Sequence, residues 1–181
     1  HQNIFYMNVW DTNCLRALHP TFRSFGILDD NPPIVQEAIL SLAACHMSRM
    51  LPQRRALTAK DVPGLAYRPD LQHQAASQEY YQSASRKLQV WAASCDPSQL
   101  NAVLAAMILF CSLESSMGNF EGFNVHSNGV KALLQMDTPM SGPEHSARLE
   151  LQNAWRQAVI LNWWRRFHFG TPLFASTPFP N

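Results

Sequence analysis

Apolar positions recur at steps of three and four along most of the chain, and no stretch shows the sustained alternation and turn punctuation of paired strands. Asn31-Pro32 opens the first clear helix. Asparagine accepts from the free N–H groups of a helix start, and proline has no N–H to leave unpaired. Its stripe is Val35, Ala38, Ile39, Leu42, Ala43, His46, Met47 and Met50, and Pro52 ends it. Residues 53–69 are polar, carry Pro63-Gly64 and Pro69, and read as a long loop. The stripe Tyr80, Ala84, Leu88, Trp91 and Cys95 predicts a long helix from about Asp70 to Ser94. Asp96-Pro97-Ser98-Gln99 is the sharpest start signal, with Gln99 placed to reach back as in a capping box. The helix that follows, to about Met117, is apolar nearly all round and belongs at the centre of the fold. Gly118-Asn119 caps it, and a shorter helix is predicted from roughly Phe123 to Gln135. After a break at Thr138 to Pro143, a last long helix runs to about Phe169, with Leu151, Trp155, Val159, Trp163 and Phe167 on one core-facing stripe.

The pattern therefore predicts an all-α fold, an irregular bundle of antiparallel αα-hairpins with about five to seven helices and no sheet. Residues 1–181 read as a single helical domain: a peripheral N-terminal segment over 1–30, a helical core over 31–169 and an extended tail over 170–181. Ile4 to Trp10 and Cys14 to Leu18 are short helical pieces interrupted at His19-Pro20, because proline disfavours helical geometry in the residue before it. A start at His1 without an initiating methionine and a proline-rich end suggest a fragment of a longer protein.

Composition narrows the function. Apolar residues make up 46% and charged residues 15%, enough hydrophobic surface to offset chain entropy. The 14 basic and 13 acidic residues give a net charge of +1, without the basic excess of a duplex-DNA binder. Cys14, Cys45, Cys95 and Cys111 are scattered, with neither zinc-ligand nor disulfide-scaffold spacing, and imply reduced thiols in an intracellular compartment. The longest apolar run, Ala102 to Cys111, is about half of the ~20 residues a membrane span needs, and reads as a core helix.

No catalytic motif is written in the chain: there is no nucleophile elbow, zinc-protease helix, P-loop or glycine-rich dinucleotide turn. The expectation is a non-enzyme with no catalytic residue, metal ligand or cofactor of its own. Three residues stand out as buried polar anchors. His46 falls on an apolar stripe, as a hydrogen-bonded core histidine or, alternatively, a ligand-pocket or metal-binding residue. His126 falls on a helix, where capping or a buried hydrogen bond outweighs proton transfer. Glu114 lies one turn after Phe110 on the most apolar helix, so burial demands a partner, with Arg156, Arg165 and His126 as candidates. The other reading of Glu114 is a polar anchor facing a ligand cavity. Trp155 to Phe169 is the densest aromatic and basic cluster. With Trp155, Val159, Trp163 and Phe167 assigned to the core, Trp164, Arg165 and Arg166 remain as interface residues, since Trp and Arg are frequent interface anchors.

The ordered pieces resemble a known family. Ala38-Ile39-Leu40-Ser41-Leu42-Ala43-Ala44-Cys45-His46, then Ala75 to Leu88 with Tyr80-Tyr81, Ala84 and Leu88, resemble two helices of fungal-specific transcription factor domains. Leu104 to Glu114 is similar to that family's core helix, and His126-Ser127-Asn128-Gly129-Val130-Lys131-Ala132-Leu133-Leu134 to its H-x-x-G-x-x-x-LL signature. Trp155 to Phe167 resembles a later Trp- and Arg-rich helix. The resemblance covers most of residues 31–169. It implies the regulatory middle region of a fungal zinc binuclear-cluster transcription factor, working in the nucleus, with DNA read by a separate cysteine cluster. No six-cysteine cluster is present here, so zinc is expected only in such a separate region, and DNA is contacted only indirectly.

The resulting expectation is a regulatory and interaction domain that controls an attached DNA-binding module through protein contacts, self-association or a small-molecule effector, with no membrane involvement. Two alternatives carry distinct structural consequences. A generic helical interaction scaffold requires regularly stacked helix pairs around a concave groove. A small all-α enzyme or ligand-binding protein requires Glu114 and His126 to converge on an accessible pocket.

Overall fold

The structure, a computed structural model, describes residues 1–25, 31–50, 53–54, 67–136 and 142–169. The described residues form six α-helices: α1 Gln2–Val9, α2 Pro33–Met50, α3 Leu71–Ser94, α4 Leu100–Met117, α5 Phe120–Leu134 and α6 Pro143–Phe169. The fold is all-α, as the periodicity predicts. The extended pairing among the described residues is a two-residue antiparallel ladder, Gln53–Arg54 against Tyr67–Arg68, at the two ends of the expected loop. Residues 55–66, 137–141 and 170–181, where most of that loop, the break and the tail are expected, lie outside the described residues.

The helix starts follow from side-chain chemistry. Asp70 accepts from the backbone N–H of Gln72 and His73 at the head of α3. Asp96 accepts from Ser98 N–H at 3.0 Å and opens a 3-10 turn, Pro97–Gln99, that feeds α4. Gln99 does reach back, but its side-chain amide donates to the Asp96 carboxylate rather than to a backbone group. Gly118 closes α4 at φ 73°, a conformation that costs other residues a Cβ clash, and Asn119 N–H returns to Glu114 C=O at 2.9 Å. Asn119 then caps α5 by accepting from Gly122 N–H, so α5 starts at Phe120, three residues before the position predicted from apolar spacing.

Helices α2 and α3 are antiparallel. Ser48 C=O meets Asp70 N–H at one end and Glu37 meets Lys87 at the other. Midway, Ser41 and Ser77 each donate a hydroxyl to the other's backbone carbonyl, at 2.9 and 2.8 Å, so both buried hydroxyls are satisfied where the helices approach closely. Helices α5 and α6 are likewise antiparallel, with Ser127 near Trp155 and the Leu133 carbonyl near Arg148. Helices α4 and α6 run parallel, Asn101 reaching Glu144 and Arg165 reaching Ser115. Helix lengths from 8 to 27 residues do not make the regular stacked pairs that the scaffold alternative requires.

Helix α4 is the expected central helix, with Leu100, Val103, Leu104, Ile108, Leu109, Phe110 and Leu113 removed from solvent. The stretch Pro97–Met117 is long and apolar enough by composition to cross a membrane, yet 67% of its most apolar 18 residues is buried inside the fold. Three expectations need correction. The described part of residues 1–30 is not peripheral: Trp10, Tyr6 and Phe22 are among the most completely buried side chains. Helix α2 shares the centre with α4, because α1, α3 and α4 together cover its circumference, while Met50 at the end of the predicted stripe is exposed. On α6 the expected stripe holds only in its first half: Leu151 is buried, with Ala154 and Asn162, and Trp155 packs partly buried against the core, but Trp163 is 58% and Phe167 70% exposed. All those residues satisfy helical spacing, so periodicity alone could not decide which set met a neighbour.

Candidate functional site

Three features of the described residues bear on function: a buried polar cluster, a cavity and an exposed helix face. The cluster joins α3, α4 and α5. Glu114, 2% exposed on α4, accepts from the Asn119 side-chain amide at 2.8 Å. His126 Nε2 of α5 lies 3.8 Å from its other carboxylate oxygen. The Tyr81 hydroxyl of α3 lies 2.8 Å from the same His126 nitrogen. Burial first, then the Glu114 charge, push the Tyr81 hydroxyl pKa above its ordinary value. The rings of Tyr81 and His126 both pack on Phe110, with centroids 4.8 and 5.2 Å away. Gly122 faces the carboxylate so closely that a Cβ there would stand 2.7 Å from the Glu114 carboxyl carbon.

Glu114 and His126 are thus brought together, and of the three partners proposed for Glu114 it is His126 that meets it. They meet in the packed interior, with Glu114 shut in by Tyr81, Asn119 and Gly122, and neither lines the cavity described below. The arrangement a small enzyme requires, an acid and an imidazole in an accessible pocket, is not found among the described residues. Tyr81 and Asn119 are cluster members that sequence reasoning missed as anchors. The Tyr80-Tyr81 pair and the helix cap were both visible as signals, but nothing in a sequence tells which tyrosine faces inward.

The cavity, about 160 Å³, lies between α2, α4, α6 and the N-terminal turns. A wide π-type turn at Trp10–Cys14 carries Asn13 and Cys14 to its wall. Helix α2 contributes Leu42, His46 and Arg49, helix α4 Ser112, Ser115 and Ser116, and helix α6 Ala158, Leu161 and Arg165. His46 is therefore not a core histidine. It is half-buried on the cavity wall, the alternative position for this residue, and partial burial lowers its pKa. Arg165 Nη1 donates to Ser115 Oγ at 3.5 Å. Burial and then the nearby Arg49 charge lower the Arg165 pKa. Among the described residues no group of three or more His, Cys, Asp or Glu side chains is placed to hold a metal ion.

The face of α6 departs from expectation in composition. Trp164 is 49% exposed, as expected, and Trp163 and Phe167 join it, their rings packed on one another at 4.5 Å. The two arginines are engaged within the chain: Arg165 turns to the cavity, and the Arg166 guanidinium sits 4.9 Å above the Phe120 ring.

The described residues thus make a helical bundle with a polar cluster interlocked inside and aromatic side chains exposed on α6. The chain belongs to the fungal specific transcription factor domain family, whose model matches residues 7–157. Membership supports a regulatory role within a transcription factor. No protein of curated function and no solved structure matches the chain significantly. Three residues of the stretches that resemble the family, Tyr81, Glu114 and His126, are members of the buried cluster, and Gly129 faces Met107 of α4.

Proposed function

We propose that this domain controls an attached DNA-binding module in the nucleus through protein contacts, without catalysis and without touching DNA itself. The observation that carries the reading is the α6 face of Trp163, Trp164 and Phe167, exposed while Tyr6, Trp10, Phe22, Trp91, Phe110 and Phe123 are buried. An aromatic side chain takes about 150–250 Å² from water when covered. Already partly covered, these three supply roughly half of the ~800 Å² per partner of a standard interface, and the rest would come from residues around them. The occupant that fits is a second copy of the chain, whose own α6 face supplies the matching apolar area. The mass of the chain in solution is expected to rise with concentration to a dimer, and Trp164→Ala with Phe167→Ala to hold it at a monomer. A monomer in both samples counts against the contact. For the regulatory role, the domain fused to a heterologous DNA-binding module is expected to change reporter expression. Equal expression with and without the domain overturns it.

A further inference from the structure

Helix α6 carries a second stripe. Leu149, Asn153, Arg156, Ile160, Trp163 and Phe167 are all exposed, and the steps between them are four, three, four, three and four residues. Alternating fours and threes keep residues on one face, as the seam of a coiled coil does. Unbroken four-residue steps instead overrun each turn by about 40°, so the run that starts at buried Leu151 has swung to the outer side by Phe167. The exposed seam therefore lies opposite the side that buries Leu151, Ala154 and Asn162.

Arg156 is the one charged residue in this seam, and it makes no hydrogen bond or ion pair among the described residues. Further along, the rings of Trp163 and Phe167 pack at 4.5 Å into one aromatic surface. A guanidinium over such a surface is attracted by the ring quadrupole, as Arg166 over Phe120 already is within the chain. Arg156 cannot reach Phe167 on its own helix, since about 16 Å of helical rise separates them. A second copy can bring them together. In a parallel pair in register, Arg156 would face the partner's Arg156 inside a seam losing its water, where like charges repel. In an antiparallel pair with Ile160 against the partner's Trp163, Arg156 lies against the partner's Phe167. The next antiparallel register sets Trp163 on the partner's Asn153 and Ile160 on the partner's Arg156, and so spends apolar surface on polar groups.

We propose that two copies of this chain pair through α6 antiparallel, with Arg156 of each stacked on the partner's Phe167 and Ile160 packed on the partner's Trp163. The pairing rests on the self-association proposed above and gives it an orientation, a register and a charged anchor. Each contact occurs twice about a two-fold axis, so one self-complementary seam serves both copies.

The test uses the 181-residue chain with Cys95→Ser, which removes the exposed thiol, and Glu150→Cys, an exposed position beside the seam, carrying a nitroxide label. Pulsed electron resonance on the dimer is expected to give roughly 35 Å between labels, the axial offset this register sets at about 1.5 Å per residue. The next antiparallel register gives about 25 Å, and a parallel pair less than about 20 Å. Arg156→Gln should raise the dimer dissociation constant about tenfold or more in sedimentation, two stacked guanidinium groups being lost. In a parallel pair the same change would remove a repulsion and tighten the dimer. A label separation of about 25 Å or less, or an Arg156→Gln dimer as tight as the parent or tighter, overturns the pairing and leaves self-association standing. A chain that stays monomeric at every concentration strikes self-association itself, and the pairing with it.

Discussion

The Tyr81 hydroxyl and His126 Nε2 stand 2.8 Å apart, joining α3 to α5 across the face of Phe110. Neither helix is adjacent to the other in sequence, and α4 lies between them. The contact also encloses Glu114, whose burial is tolerable because three side chains from two other segments surround its carboxylate. A polar cluster of this kind is costly when incomplete and specifies one helix arrangement when complete.

Removing one member should therefore cost more than its own hydrogen bond. Tyr81→Phe keeps the ring on Phe110 and leaves His126 and Glu114 short of a partner, for an expected loss of about 1–3 kcal/mol in urea unfolding. Glu114→Gln, which retains the shape and the Asn119 neighbour, is expected to be milder than Glu114→Ala. Equal stability of Tyr81→Phe and wild type would show that the cluster contributes nothing.

Two glycines on α5 make a paired comparison. A Cβ at Gly122 meets the Asn119 amide at 2.6 Å and the Glu114 carboxylate, both held in the buried cluster. At Gly129 it meets Met107 Cε, the far end of a flexible side chain that can turn away. Alanine favours a helix by about 1 kcal/mol over glycine. Gly129→Ala is thus expected to be neutral or stabilising, and Gly122→Ala to lose about 1–3 kcal/mol through overpacking. Thermal melts of the two variants check this, and the reverse order would contradict it.

The N-terminal turns should behave as core. Trp10→Ala empties a site with no solvent exposure and is expected to cost about 3–5 kcal/mol. Trp163→Ala on the exposed face should change monomer stability by less than about 0.5 kcal/mol. Comparable losses from the two would mean that one of these tryptophans is placed wrongly.

The thiols should sort by burial. Cys95 is exposed, and Cys14, Cys45 and Cys111 are buried, so an aromatic disulfide reagent should modify Cys95 alone while the chain is folded. Burial pushes Cys14 and Cys111 from the ordinary value of 9.0 to about 12. Unfolded chains shed these protons near pH 9 and folded chains hold them. The associated stability is whole below pH 9 and is lost as the pH climbs toward 12. Unfolding free energy measured across that window should fall, and less steeply in Cys111→Ala. An identical slope in the variant would remove Cys111 from the explanation.

Much of the architecture was legible because it is set by neighbours in the chain. Asp70, Asp96 and Gly118 fix helix ends through groups within a few residues, and the all-round apolar run Leu100 to Leu113 has no stable place except the centre. The burial of Glu114 and its pairing with His126 were legible for a similar reason, since a carboxylate on that helix needs a partner. The rest was not local. Leu151, Trp163 and Phe167 share one stripe of four-residue steps, yet Leu151 is buried and the two aromatic residues are exposed, because burial depends on which part of α6 has a neighbour opposite it. The same dependence turned His46 and Arg165 toward a shared cavity and brought Trp10 inside. Sequence by itself determined the class of fold, the helix starts and stops and the need for a buried polar cluster, because caps, periodicity and desolvation act over a turn or two. Tertiary structure alone decided which faces were covered, since burial belongs to pairs of helices and only their packing selects the pair.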